Sequence, residues 1–213
     1  YERGTSVYLV DRVLPMLPHK LSNGICSLNP EVDRLALSCI MKIDSNGNVI
    51  NYDICESIIR SRKKMTYDAV NSILENNIVP EGYEEFVDDL KTMNDLSNIL
   101  RKKMIARGYI DFDTKEAKIL VDEKCHPYEI KLREQRTGEK LIENFMIVAN
   151  ETVASSIFYR SDGVPGIYRV HDRPNEAKLQ KFMDFLSVHG YSVTGKKKGK
   201  ISVKDLRNII DQI

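Results

Sequence analysis

From Gly138 to Tyr159 the chain places Leu141, Ile142, Phe145, Met146, Ala149, Val153 and Ile157 at steps of three and four. That spacing puts them on one broad face of a helix, a stripe wide enough to need neighbours on several sides. The segment therefore predicts a central helix with the rest of the chain packed around it. Two further periodic stretches supply partners. Thr66 is a good N-cap for a helix from Tyr67 to about Glu75 with Ala69, Val70, Ile73 and Leu74 as its stripe, ended by Asn76, Asn77 and Pro80. A longer helix is predicted from Tyr83 to Arg107, where Phe86, Leu90, Met93, Leu96, Leu100 and Met104 recur and Gly108 stops it.

Extended structure is equally legible. Arg34 to Asp44 and Val49 to Ser61 read as two strands, and Ser45-Asn46-Gly47-Asn48 between them carries the Asn-Gly signal of a tight hairpin. In the second strand Ile50, Tyr52, Ile54 and Glu56 oppose Asn51, Asp53, Cys55 and Ser57, so neither face is cleanly apolar and the inward face stays open. Shorter strands are predicted at 109–112, 117–121, 128–132 and 167–172. Helices are predicted from Asn175 to His189 and after Ser202, with a basic loop at 195–200 between them. Residues 3–30 hold Pro15, Pro18, Asn23, Gly24, Asn29 and Pro30 and read as an irregular segment laid over a core. The class is α+β: a mixed or antiparallel sheet packed by several helices.

Composition narrows function only by exclusion. At 213 residues, 42% apolar and 30% charged, the chain is long and apolar enough to bury a core. No run of eighteen apolar residues is present, so no membrane partner is expected. A net charge of +1 gives no global basic field, so any nucleic-acid contact must be a local groove. Cys26, Cys39, Cys55 and Cys125 lack metal-ligand spacing and are expected to be buried free thiols. GxGxxG, P-loop, HExxH and GxSxG motifs are absent, and His19, His126, His171 and His189 have no ligand spacing. Asp88-Asp89 is the tight acidic pair, but adjacent helical residues point about 100° apart and do not form one chelate.

Three consecutive segments carry more. RGTSVY (Arg3 to Tyr8), PMLPHKLSNGICSLNP (Pro15 to Pro30) and EVDRLALSCIM (Glu31 to Met41) together resemble the catalytic domain of the ribonuclease II and ribonuclease R family, closest to its bacterial ribonuclease R members. The likeness continues to the last residue. It implies that 1–213 is part of one such domain, truncated at both ends, from a processive 3′-to-5′ exoribonuclease that hydrolyses single-stranded RNA to nucleoside 5′-monophosphates. An alternative of another class is a non-catalytic RNA-binding or scaffold protein with the same fold.

The resemblance assigns residues one by one. Tyr8 matches an aromatic that packs against the 3′-terminal nucleotide, and Phe112 in GYIDFDTKEAKIL matches one at the far end of the stacked bases. Flat aromatic faces accept any base, which suits an enzyme indifferent to sequence. On residue type alone, both read as core aromatics. Tyr67 in KMTYDAV matches a ribose contact, and Glu143 in KLIENFMIVAN matches the glutamate beside it. A carboxylate accepts from a 2′-hydroxyl, which DNA lacks, although Glu143 reads equally as the partner of a neighbouring Arg. Arg169 and His171 in YRVHDRP resemble the family's FRIHDKP, a structural segment with a secondary claim on substrate. The implied picture is one slot lined by Tyr8, Tyr67, Phe112 and Glu143.

The family's aspartate cluster, patterned like DPxxAxDxDDA, stands upstream of the RGTSVY segment, and its TSPIRRYPDL segment downstream. The resemblance therefore implies no catalytic and no metal-ligating residue within 1–213, Mg²⁺ in the intact enzyme with ligands outside this chain, and an isolated chain without activity. It also implies single-stranded RNA as partner, cold-shock and S1 modules elsewhere in the protein, and a bacterial cytoplasmic location.

Overall fold

A computed structural model describes residues 3–110, 116–159, 165–172, 175–191 and 203–210. Its longest extended element is the expected hairpin, β3 (Asp33–Ile43) with β4 (Val49–Arg60), preceded by the two-residue strands β1 (Val7–Tyr8) and β2 (Val13–Leu14). Asp44 builds the turn. Its Oδ1 accepts from the Asn46 and Asn48 backbone N–H groups at 2.9 and 2.8 Å, and Oδ2 from Asn48 Nδ2 at 3.0 Å. These bonds, the Asn48 side chain's first, hold the Asp44 carboxyl below its ordinary range. Gly47 takes φ +76° and brings its backbone against the helices, accepting from Lys103 Nζ at 2.9 Å.

The two faces of this hairpin trade places along its length. Near the base, Arg34, Ala36 and Ser38 with Ile59 and Ser57 are half-buried, and Arg34 Nε donates to the Ser27 carbonyl at 3.0 Å. On the opposite face Leu35, Leu37 and Ile58 are exposed. Past the Ser38–Cys55 pair the covered face is the other one, through Cys39, Met41 and Ile43, and Thr152 of the central helix lies 3.3 Å from Met41 Sδ. That switch is why the alternation in β4 pointed to no single inward face. One side is covered at the base by residues near Ser27, the other at the tip by helices.

α1 (Tyr67–Asn76), α2 (Val87–Arg107) and α3 (Thr137–Tyr159) form the helical body, with a 3₁₀ turn at Glu84–Phe86 leading into α2. The caps are those the sequence predicts. Thr66 Oγ1 accepts from the Ala69 N–H, and Asn77 and Gly108 end their helices at φ +55° and +100°. Val70, Ile73, Tyr83, Phe86 and Leu90 make the core between α1 and α2. α3 departs from expectation in its detail. Its deepest stripe is Gly138, Leu141, Asn144, Thr152 and Ser156, while Ile142 and Met146 are exposed. Small side chains let α2 approach closely. Asn144 Nδ2 donates to Ser97 Oγ at 2.8 Å and Thr152 Oγ1 to the Val148 carbonyl at 2.8 Å, while Asn144 Oδ1 is buried without a partner.

β5 (Glu116–Val121) and β6 (Pro127–Arg133) pair with each other, so the strands expected at 117–121 and 128–132 form a second hairpin. The described ladders are three separate two-stranded antiparallel sheets, not one mixed sheet; the parallel element among them is a single bridge, Pro30–Ser61. The α+β class stands. α4 (Glu176–Val188), capped by Asn175, and α5 (Val203–Ile210) share a small core of Met183, Leu186 and Ile209.

Other expectations need correction. Tyr109 and Ile110 are irregular, and the rest of the strand expected at 109–112 lies outside the described residues. Residues 167–172 form no strand, and Ile167 and Val170 project into solvent. Cys39 and Cys55 are half-buried, but Cys26 and Cys125 are exposed because they sit in a short turn and a hairpin loop rather than in strands; all four are free. The basic loop at 195–200 and Ser202 lie outside the described residues. Among those described, no helix is long and apolar enough to cross a membrane.

Candidate functional site

Three side chains one helical turn apart on α1, Tyr67, Asn71 and Glu75, face the start of α3. The first N–H groups of any helix lack intrahelical acceptors, and α1 supplies them here. Glu75 Oε1 accepts from the Thr137 N–H at 3.1 Å, and Asn71 Oδ1 from the Gly138 N–H at 2.7 Å. Asn71, fully buried, also donates through Nδ2 to Glu139 Oε2 at 3.1 Å. Glu75 Oε2 accepts from Arg136 Nε and Nη2 at 3.0 and 2.5 Å. The Arg136 hydrogen bonds first, then those from Thr137, draw the Glu75 carboxyl down to about 2, and the same pairing raises Arg136. Gly138 is what allows the approach. A Cβ there would stand 3.1 Å from Asn71 Oδ1 and 3.5 Å from Tyr67 Cδ1.

Above this junction opens a cavity of about 1440 Å³. Apolar side chains from all three helices, among them Val70, Phe86, Leu90 and Leu141, line its inner part. Its polar lining comes from Lys118 on β5, Glu134 and Arg136 after β6, Glu139 on α3, and Asp68 and Asp89. Tyr8 reaches it from β1, where Arg3 Nη1 donates to the Pro15 carbonyl at 2.7 Å and Ser6 Oγ accepts from the Met16 N–H at 3.0 Å. Those bonds fasten RGTSVY to the segment after it.

Of the residues singled out from sequence, Tyr8 and Tyr67 share this cavity. Tyr8 is 78% exposed and Tyr67 45%, so neither is a core tyrosine. Glu143 is not among the lining residues. Its two oxygens accept from Tyr109 Oη at 2.9 Å and Gln135 Nε2 at 2.7 Å, so its partners are a phenol and an amide rather than an arginine. Phe112 lies outside the described residues. Arg169 and His171 are exposed in the irregular segment 165–172 and do not line the cavity. Sequence reasoning missed Asn71, Glu75, Lys118, Arg136 and Glu139. The legible signal was the Tyr67, Asn71, Glu75 spacing, a polar stripe on an otherwise apolar-faced helix.

The whole chain, residues 1–213, matches the RNB domain, and the protein belongs to that family. It is 50% identical over 200 residues to ribonuclease R 1 of Lactococcus lactis, a match covering 93% of this chain and 24% of that protein. Two structures of Mycoplasma genitalium RNase R, one with ribose-methylated single-stranded RNA and one with double-stranded RNA, superpose with TM-scores of 0.87 and 0.88 at 32% identity. Each covers 98% of this chain, which corresponds to 32% and 37% of those chains. The chain thus spans about a quarter to a third of the relatives it matches.

A pair of divalent ions needs several carboxylates within one coordination sphere. Among the described residues no three His, Cys, Asp or Glu side chains are so grouped, and the cavity's own carboxylates do not fit such a pair.

Proposed function

We propose that this chain is the substrate-holding part of a processive 3′-to-5′ exoribonuclease, and that the 3′ tail of single-stranded RNA occupies the cavity between Tyr8 and Tyr67. The observation that carries this is two exposed aromatic faces on one cavity, in a chain of the RNB family. Bases stack on such faces whatever their sequence, each contact contributing about 1–3 kcal/mol. Lys118 on the same lining supplies positive charge for the backbone. Hydrolysis to nucleoside 5′-monophosphates, with Mg²⁺ as the activator of water, belongs to carboxylates beyond these residues in the intact enzyme, as do its cold-shock and S1 modules and its place in the bacterial cytoplasm. Glu143 and Phe112 remain proposed contacts along the same strand, with Arg169 and His171 as outer ones.

The test is a fluorescence-anisotropy titration of the chain with a labelled single-stranded oligoribonucleotide. Weak, salt-dependent binding that falls for Tyr8→Ala and Tyr67→Ala is expected. Equal affinity for a duplex without a single-stranded tail, or indifference to both substitutions, refutes the assignment. In the same solutions with magnesium, the isolated chain is expected to release no monophosphate from 3′-labelled RNA.

A further inference from the structure

A second cavity, of about 370 Å³, lies where the tip of the β3–β4 hairpin meets α2 and α3. It shares no lining residue with the cavity that holds Tyr8 and Tyr67. Gly47 and Val49 close it from the hairpin, Leu100 and Met104 from α2, and Ile147 and Val148 from α3. Its size falls within the range of small-molecule sites. One polar atom beside it has no partner. Asn144 is 1% exposed and lines the cavity, and its Nδ2 is bonded to Ser97, yet its Oδ1 is buried and accepts from nothing among the described residues. Such an oxygen weakens the packing until a donor satisfies it, directly or through one bridging water.

The rest of the lining says what kind of donor fits. Tyr52 of β4, 43% exposed, adds an aromatic ring to the aliphatic walls. Lys103 and Arg107 set two cations against one carboxylate, Glu151. Lys103 Nζ donates to the Gly47 carbonyl at 2.9 Å, and Arg107 Nη1 and Nη2 donate to Glu151 at 3.2 and 2.8 Å. An ammonium has three N–H groups and a guanidinium five, so both keep donors for an anion. The Arg107–Glu151 pair is about half exposed, and an entering anion competes with a bond that solvent already weakens. Asn144 and Glu151 stand two turns apart on α3, about 10 Å along the axis, comparable to one nucleotide from base edge to phosphate. Every nucleobase carries an N–H donor on a flat ring. We infer that this cavity binds a nucleoside 5′-monophosphate, its base beside Tyr52 with an N–H directed to Asn144 and its phosphate at Lys103 and Arg107. The choice of ligand rests on the exoribonuclease reading, which makes this molecule the product. Bound there, it joins the hairpin tip to both helices.

The experiment is a set of amide NMR titrations of the 213-residue chain with AMP, adenosine, purine riboside 5′-monophosphate and inorganic phosphate. AMP is expected to give saturable shifts at Gly47, Asn48 and Glu151. Adenosine, without the phosphate, and purine riboside 5′-monophosphate, without the amine, are each expected to bind about tenfold more weakly. Arg107→Gln is expected to weaken AMP by a similar factor. Ser155, exposed on the lining, offers a fold-neutral plug: Ser155→Trp is expected to abolish the shifts, and Tyr67→Ala to leave them unchanged. AMP shifts confined to Gly138 and its neighbours overturn the inference, because the nucleotide then sits in the first cavity. Inorganic phosphate binding as tightly as AMP overturns it too, leaving an anion site without base recognition. No AMP binding at millimolar concentration, in a chain that still binds an oligoribonucleotide, refutes this site and spares the RNA slot. AMP binding at the hairpin tip in a chain that binds no oligoribonucleotide supports this site and refutes the slot.

Discussion

Replacing Asn71 by alanine tests whether the junction of α1 and α3 is held by one buried amide. Asn71 is 0% exposed and makes two bonds, accepting from the Gly138 N–H at 2.7 Å and donating to Glu139 Oε2 at 3.1 Å. Alanine leaves the Gly138 N–H buried without an acceptor, a loss of about 1–3 kcal/mol, and removes a bond to a charged oxygen worth about 1.5–3 kcal/mol in other proteins. The two share one side chain, and Glu139 can turn to solvent. A total near 3 kcal/mol is therefore the expectation rather than the sum of the upper limits. In a chain of this length that lowers Tm by roughly 6–12 °C. Urea unfolding followed by circular dichroism reads it as a lowered midpoint at constant m. Asn71→Asp keeps the acceptor for Gly138 but sets a carboxylate against Glu139, so it is expected to destabilise at neutral pH. An Asn71→Ala midpoint within 0.5 kcal/mol of wild type refutes the reasoning, because a fully buried amide with two partners cannot be that cheap to lose.

Glu75 predicts acid lability. Its folded-state carboxyl is drawn to about 2, below the unfolded value, so its stabilisation is complete above about pH 4.5 and lost as pH falls toward 2. Because the pair is partly solvent-screened, about 1 kcal/mol is expected, and urea midpoints of Glu75→Gln should converge with wild type at the acid end. Gly47→Ala sets a Cβ 3.3 Å from Ile99 Cγ2 at φ +76°, and is expected to cost about 1–2 kcal/mol by thermal unfolding. Leu35→Ala, on the uncovered face of the hairpin at 84% exposure, is expected to change stability by under about 0.5 kcal/mol, against about 2–5 kcal/mol for Leu141→Ala at 2% exposure. Comparable losses at both positions would sink the account of the switching faces.

Local chemistry determined the elements that sequence reading placed well. Thr66, Asn77 and Gly108 bound their helices because a side-chain acceptor or a positive φ acts within one turn, and Asn46-Gly47 closes its hairpin for the same reason. The RGTSVY and LSNGICSL segments likewise declared the family by themselves. What covers a face is a different kind of question, since it depends on elements distant in sequence. Only tertiary packing turned the hairpin's opposite sides inward at base and tip, and gave α3 a small, polar inner stripe where Ile142 and Met146 promised an apolar one. The cavity follows the same division. An exposed tyrosine and a buried one have the same letter, and Tyr8 and Tyr67 were recognisable from their motifs. Glu139 was not, because its place on the lining is held by Asn71, 68 residues earlier, through a bond that exists only once α1 and α3 meet.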